Sequence, residues 1–174
     1  MTTCFNGLPF LKRVQSWLLF PALVAVLCIV TTGPATTQSA ITLDVLREMN
    51  FGHFAASADG SGTVTISPND DSVTFTGPVV LFSSKNVRRA RFRIDGEKKT
   101  YVIVSLPSSI TIQSSTSGTT MTVDNFTMDQ TNPIYLGNNG RKTVNIGATL
   151  RIGNNQSAGS YTINNNFTFV VDYL

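Results

Sequence analysis

Histidine and cysteine are nearly absent from this chain, and their scarcity removes whole classes of chemistry. Of 174 residues, two are cysteines, Cys4 and Cys28, and one is a histidine, His53. From residue 29 onward no thiol exists to form a disulfide or act as a nucleophile, so stability there rests on core packing and sheet hydrogen bonds. A lone imidazole does not make the ligand clusters of zinc or copper sites, so no metal site is expected. His53, between Gly52 and Phe54, reads as an exposed or half-buried strand residue. The serines lack a Gly-x-Ser-x-Gly elbow, and Asp70-Asp71 sits in a Pro-Asn-Asp-Asp turn with no EF-hand pattern. The loops Asn138-Asn139-Gly140 and Gly153-Asn154-Asn155 adjoin strand-like runs, whereas a phosphate loop needs a helix N-terminus behind it. No catalytic residue, cofactor or metal ligand is expected, and the chain is read as a non-enzyme.

Charge is also scarce, at 13% of residues. Lys and Arg total 13 against 10 Asp and Glu, but Lys12 and Arg13 precede an apolar run and all the acids lie beyond it. The remainder is close to neutral, and the basic pI is no nucleic-acid signature. Lys12 and Arg13, the run from Trp17 to Val30, and Thr31-Thr32-Gly33-Pro34-Ala35 have the order of a secretory signal peptide. The run is shorter than the roughly 18–20 residues of a bilayer span, so no stable span is expected after cleavage. The leader is placed at 1–39, with cleavage after Ala35 or after Ser39. The product is expected to be exported. Residues 40–174 suit one domain with a core of its own.

Past residue 55 the chain is poor in Lys, Glu, Leu and Ala and rich in Thr, Ser, Asn, Val, Ile and Phe. Those residues pack well on a pleated surface. Short alternating runs recur between Gly, Pro, Asn and Asp turns, among them Thr63-Val64-Thr65-Ile66, Ala90-Arg91-Phe92-Arg93-Ile94 and Tyr101 to Leu106. Such spacing predicts an all-β sandwich. Residues 44–49 are left as the only helix candidate, too short to stand alone. The basic run from Lys85 to Arg93 places Arg91 and Arg93 outward, as a solvated face of the kind that guards a sheet edge. Tyr101, Tyr135 and Tyr161 are available for sugar stacking, although aromatics in sandwiches are mostly core.

The strongest alternation lies at opposite ends of the expected domain. Ile41, Leu43 and Val45 share one face, and Phe167, Phe169, Val171 and Tyr173 share another. An extended segment with apolar residues at every second position can add to an exposed sheet edge. The two segments read equally well as the first and last strands of a self-contained sandwich. The functional expectation is a structural subunit of a surface fibre; the alternative is a monomeric secreted or periplasmic carbohydrate- or adhesion-binding module.

Several stretches carry a resemblance. Met49 to Phe54, Gly62 to Pro68, Met121 to Phe126, Ile146 to Ile152, Ala158-Gly159-Ser160-Tyr161 and the final alternating run resemble, in order and spacing, the bacterial domain of unknown function 4402. They are also similar to pilin and spore-coat U-like domains. The resemblance implies an immunoglobulin-like, pilin-like sandwich over residues 40–174 in a Gram-negative exported protein, passing through the periplasm to a fimbria, the cell surface or the medium. It further implies other copies or related subunits as partners by strand addition, with a periplasmic chaperone and an usher. By position, Ile41, Leu43 and Val45 would be donor-strand residues. Phe167, Phe169, Val171 and Tyr173 would form a chaperone-facing or core strand. One departure is that pilins often carry a disulfide, which this domain lacks.

Overall fold

The computed structural model describes residues 38–174 apart from 57, 84, 85 and 164–167. All but the last two residues of the expected leader, together with Phe167 and Lys85, therefore lie outside the described residues. Every regular element among those described is a β-strand. In chain order these are β1 (Thr42–Arg47), β2 (His53–Ala56), β3 (Gly62–Ile66), β4 (Val73–Thr76), β5 (Val79–Ser83), β6 (Ala90–Asp95) and β7 (Tyr101–Ser105). There follow β8 (Ser109–Ser114), β9 (Thr120–Met128), β10 (Ile134–Tyr135), β11 (Arg141–Ile152), β12 (Tyr161–Ile163) and β13 (Val170–Tyr173). All pairings are antiparallel.

The organising strand is β11. On one edge it pairs first with β6, through Arg141 to Ile146, and then with β3, through Ala148 to Ile152. Its other edge pairs with β9. One large sheet results, ordered β1-β6-β11-β9-β8-β12, with β4 joined through β3, and it curls into a half-barrel. A three-stranded sheet, β10-β7-β13, and a β2-β5 pair complete the architecture.

Period-two alternation decides which side chains go inside. In β6, Ala90, Phe92 and Ile94 are buried and Arg91, Arg93 and Asp95 are not. In β7, Val102 and Val104 point in while Tyr101, Ile103 and Ser105 point out. The β6 residues join Val144 and Ile146 of β11 against Val102, Val104, Ile134 and Leu136 from the three-stranded side, giving one buried cluster between the two sheets. A second cluster gathers Val64, Ile112, Met121, Val123, Ala148, Leu150 and Ile152, with Phe51, Phe54 and Val79 packed on it.

Two expectations need correction. Residues 44–49 are not helical: Thr42 to Arg47 form β1, because Leu43 and Val45 pair with Ile94 and Phe92 of β6. A single helical turn leaves most of its backbone groups unpaired, whereas β6 offers partners to every residue from Thr42 to Arg47 except Leu46, where the register shifts. Nor do Arg91 and Arg93 guard an edge, since β6 lies between β1 and β11. Both are half-buried: Arg91 donates to Asn145 Oδ1 at 3.0 Å, and Arg93 is paired with Asp44 and with Asp95 at 2.9 Å.

A second charged knot ties Arg47 of β1 to Asp71 at 2.8 Å, and the Arg89 amide donates to the same carboxylate at 2.8 Å. Partial burial opposes ionisation of Asp71, yet the Arg89 amide and the two guanidinium groups hold its carboxyl below the ordinary value. Asp95 is lowered too, first by the hydrogen bond from Arg141 and then, against some desolvation, by the charges of Arg141 and Arg93. A depressed carboxylate contributes stability that is complete above its unfolded value, about 3.9, and is lost as pH falls through the folded one. The melting temperature is therefore expected to hold between about pH 7 and 5 and to fall below about pH 4. Asp71→Asn should lower it at neutral pH and flatten the acid decline. An unchanged profile in that variant would remove Asp71 from the acid response.

Candidate functional site

Both chain ends that the alternation picked out are strands, and they lie at edges. Among the described residues β1 pairs only with β6, and β13 only with β7. They meet through one side chain: the Tyr173 hydroxyl accepts from the Glu97 amide at 2.6 Å and donates to the Ser39 carbonyl at 2.7 Å. The Ser39 amide in turn donates to Glu97 Oε2 at 3.0 Å, and this bond is the leading cause holding the Glu97 carboxyl below its ordinary value.

The predicted faces separate cleanly. Phe169, Val171 and Tyr173 pack against the cluster between the sheets, while Thr168, Val170 and Asp172 are exposed. Phe169 meets Phe92 edge-on, with ring centroids 4.7 Å apart and planes at 70°. Ile41 also packs on that cluster. Leu43 and Val45 follow on the same face but remain 37% and 59% exposed. Phe167 is outside the described residues.

Leu43 and Val45 are uncovered because they border an open groove of about 1280 Å³. Its base is the protein's own core: Ala90 and Phe92 of β6, Ile112 of β8, Met121 and Val123 of β9, and Leu150 of β11. Phe51, Phe54 and Phe82 line it from the segment 51–54 and from β5, and Phe82 is 72% exposed. Thr168 and Phe169, leading into β13, line it as well. Pockets for drug-sized ligands measure roughly 300–1,000 Å³, so this groove is roomier than one such ligand requires. His53 is exposed and borders the same groove. Among the described residues no group of three or more His, Cys, Asp or Glu side chains is placed to hold a metal ion.

The base of the groove is dispersed in sequence, because β1, β6, β8, β9 and β11 each contribute one to three side chains, whereas two continuous runs, 48–56 and 156–162, form its walls. The available signals were the alternation through Leu43 and Val45 and the segments Met49 to Phe54 and Ala158 to Tyr161. A second cleft, of about 410 Å³, is bordered by Thr63, Thr76, Thr120, Thr122 and Arg151 on the large sheet.

The tyrosines divide. Tyr161 is half-buried on the second cluster, and its hydroxyl donates to the Ser157 carbonyl at 2.6 Å and bonds to Gln156 and Thr119. It is a structural residue and does not offer a free ring for stacking. Tyr101 and Tyr135 are both exposed. No helix among the described residues is long and apolar enough to cross a membrane.

No curated protein and no solved structure matches the chain. Residues 41–173 match the model of the family described as domain of unknown function (DUF4402), a span from just before β1 to the end of β13, and the chain belongs to that family.

Proposed function

We propose that this protein is a non-catalytic structural subunit of a bacterial surface fibre, an immunoglobulin-like sandwich exported through its leader and assembled by strand addition. The carrying observation is the groove: an apolar trough over the hydrophobic core, bordered by the edge strand β1 and by the segment leading into the edge strand β13. An extended segment with apolar residues at alternate positions suits such a trough. Its backbone bonds to a free edge, and its side chains enter the groove. Three apolar side chains fully buried there would contribute roughly 5–9 kcal/mol gross, part of which is offset by ordering the segment.

Ile41, Leu43 and Val45 have the required spacing, and β1 is an edge strand whose release costs its ladder to β6 and the Asp44–Arg93 and Arg47–Asp71 pairs. It is held on one side, and five of its six residues are exposed. In the isolated chain it closes its own sheet on β6; in a fibre it would complete a neighbour. The β13 face carrying Phe169, Val171 and Tyr173 serves as core strand in this scheme, and a periplasmic chaperone would shield the groove before an usher assembles the subunits. The immunoglobulin-like assignment draws support from Tyr161, whose hydroxyl returns to a carbonyl four residues upstream as in the tyrosine corner of Greek-key sandwiches.

The test is to purify residues 36–174 alone. The expected result is a ladder of oligomers that resists mild detergent. The double variant Leu43→Lys, Val45→Lys, altered where the side chains already meet solvent, should stay monomeric with a melting temperature within a few degrees. A parent chain that is monomeric at every concentration, or a double variant that assembles equally well, would overturn the proposal.

A further inference from the structure

The outer face of the three-stranded sheet breaks the rule that an exposed antiparallel face is polar. The outer face of the large sheet obeys it, presenting Thr63, Thr65, Thr74, Thr76, Thr122 and Arg151 in cross-strand rows. On the three-stranded sheet the outward positions are Tyr101, Ile103 and Ser105 of β7, Tyr135 of β10, and Val170 and Asp172 of β13; Tyr101, Ile103, Tyr135 and Val170 are exposed by 47, 37, 42 and 49%. Tyr101 and Tyr135 stand directly opposite each other across β7 and β10. Their ring centroids are 5.0 Å apart and the planes are inclined at 41°. Cross-strand aromatic pairing stabilises a sheet, which accounts for the contact between the rings. It does not account for two rings left half in water beside exposed Ile103 and Val170.

The size of the patch decides what it fits. Strands of five, four and two residues, at about 3.3 Å per residue and about 4.8 Å apart, give a face on the order of 170 Å². A stable protein interface buries about 800 Å² on each partner, so a second copy finds too little area here. One or two sugar rings are of the right scale. A pyranose lays its apolar C–H face on an aromatic ring and leaves its hydroxyls to polar neighbours. Asp172, exposed and paired in register with Ile103, places a carboxylate acceptor at the margin of the patch.

We propose that the outer face of β10-β7-β13 is a carbohydrate-binding site, with Tyr101 and Tyr135 as the stacking platform for neutral hexopyranoses and Asp172 as a hydroxyl acceptor. The site is distinct from the groove and stands whether or not the subunits assemble.

The test uses residues 36–174 on an array of neutral glycans, followed by calorimetric titration with cellotriose and chitotriose. Binding is expected, weakened about tenfold or more by Tyr101→Ala or Tyr135→Ala and by Asp172→Asn. It should be retained in Tyr135→Trp, which keeps the stacking surface, and in the Leu43→Lys, Val45→Lys variant, which separates this site from the groove. Melting temperatures of the variants exclude unfolding as the cause of any loss. No binding to any neutral glycan would overturn the proposal, as would binding indifferent to both alanine variants. A self-association of the parent chain that Tyr135→Ala alone abolishes would assign the face to a second copy instead.

Discussion

Gly147→Ala is expected to destabilise the protein by about 3 kcal/mol or more, a large share of the roughly 5–15 kcal/mol that holds a domain folded. Gly147 is where β11 changes partners, between Ile146 on β6 and Ala148 on β3, beside a register shift against β9. A Cβ placed there would run into the Ile66 carbonyl oxygen and come within 2.7 Å of the Pro68 nitrogen and 2.9 Å of Pro68 Cδ. These are backbone and ring atoms, so the collision is not relieved by rotating a flexible side chain. The β3-β11 ladder has to separate, and the large sheet is built on it. Urea unfolding followed by circular dichroism measures the effect. A variant that unfolds at the same midpoint as the parent would show that the crossing has slack this account denies it.

Ile94→Ala and Val45→Ala should differ sharply, although both remove apolar atoms from adjoining strands. Ile94 is wholly buried among residues from both sheets, and truncation there is expected to cost about 2–5 kcal/mol through lost burial and a residual cavity. Without a disulfide in residues 38–174, no covalent link limits the unfolded chain and softens that loss. Val45 is 59% exposed at the groove, and its truncation should move the isolated chain by no more than about 0.5 kcal/mol. Its cost should appear only on assembly, as slower or weaker oligomerisation. Equal losses in the isolated chain would mean that Val45 is already covered and that the groove is closed.

Alternation carried most of what the sequence disclosed. It predicted β3, β6, β7 and β13 as strands, and for β6 and β13 also the inward face, since each has one buried side and a period-two pattern is the direct imprint of that. It failed where pairing outweighs composition. Arg141, Lys142 and Thr143 lack the apolar pattern yet extend β11, because they lie opposite Asp95, Ile94 and Arg93 of β6. Residues 44–49 suggested a helical turn, but the same stretch supplies the partners that β6 needs. Arg91 and Arg93 looked like solvated edge cations, and what neutralises Arg93 is Asp44 on one neighbouring strand beside Asp95 on its own.

The candidate site was legible only by half. Ile41, Leu43 and Val45 could be singled out by spacing, but the base of the trough that Leu43 and Val45 border is made by strands far apart in the chain. Three tyrosines looked equivalent in sequence. Only the fold separates Tyr161, whose hydroxyl is bound at a turn, from Tyr101 and Tyr135, which face water side by side.

The central claim is that β1 is an exchangeable edge strand at the rim of a trough that accepts a partner segment, and amide hydrogen exchange along Thr42 to Arg47 tests it most directly. In dilute protein these amides should exchange far faster than those of β11. In the assembled state they should become protected to a level near that of β11. Slow exchange of β1 in the dilute chain, or no change in β1 when the chain is concentrated into oligomers, would contradict the account.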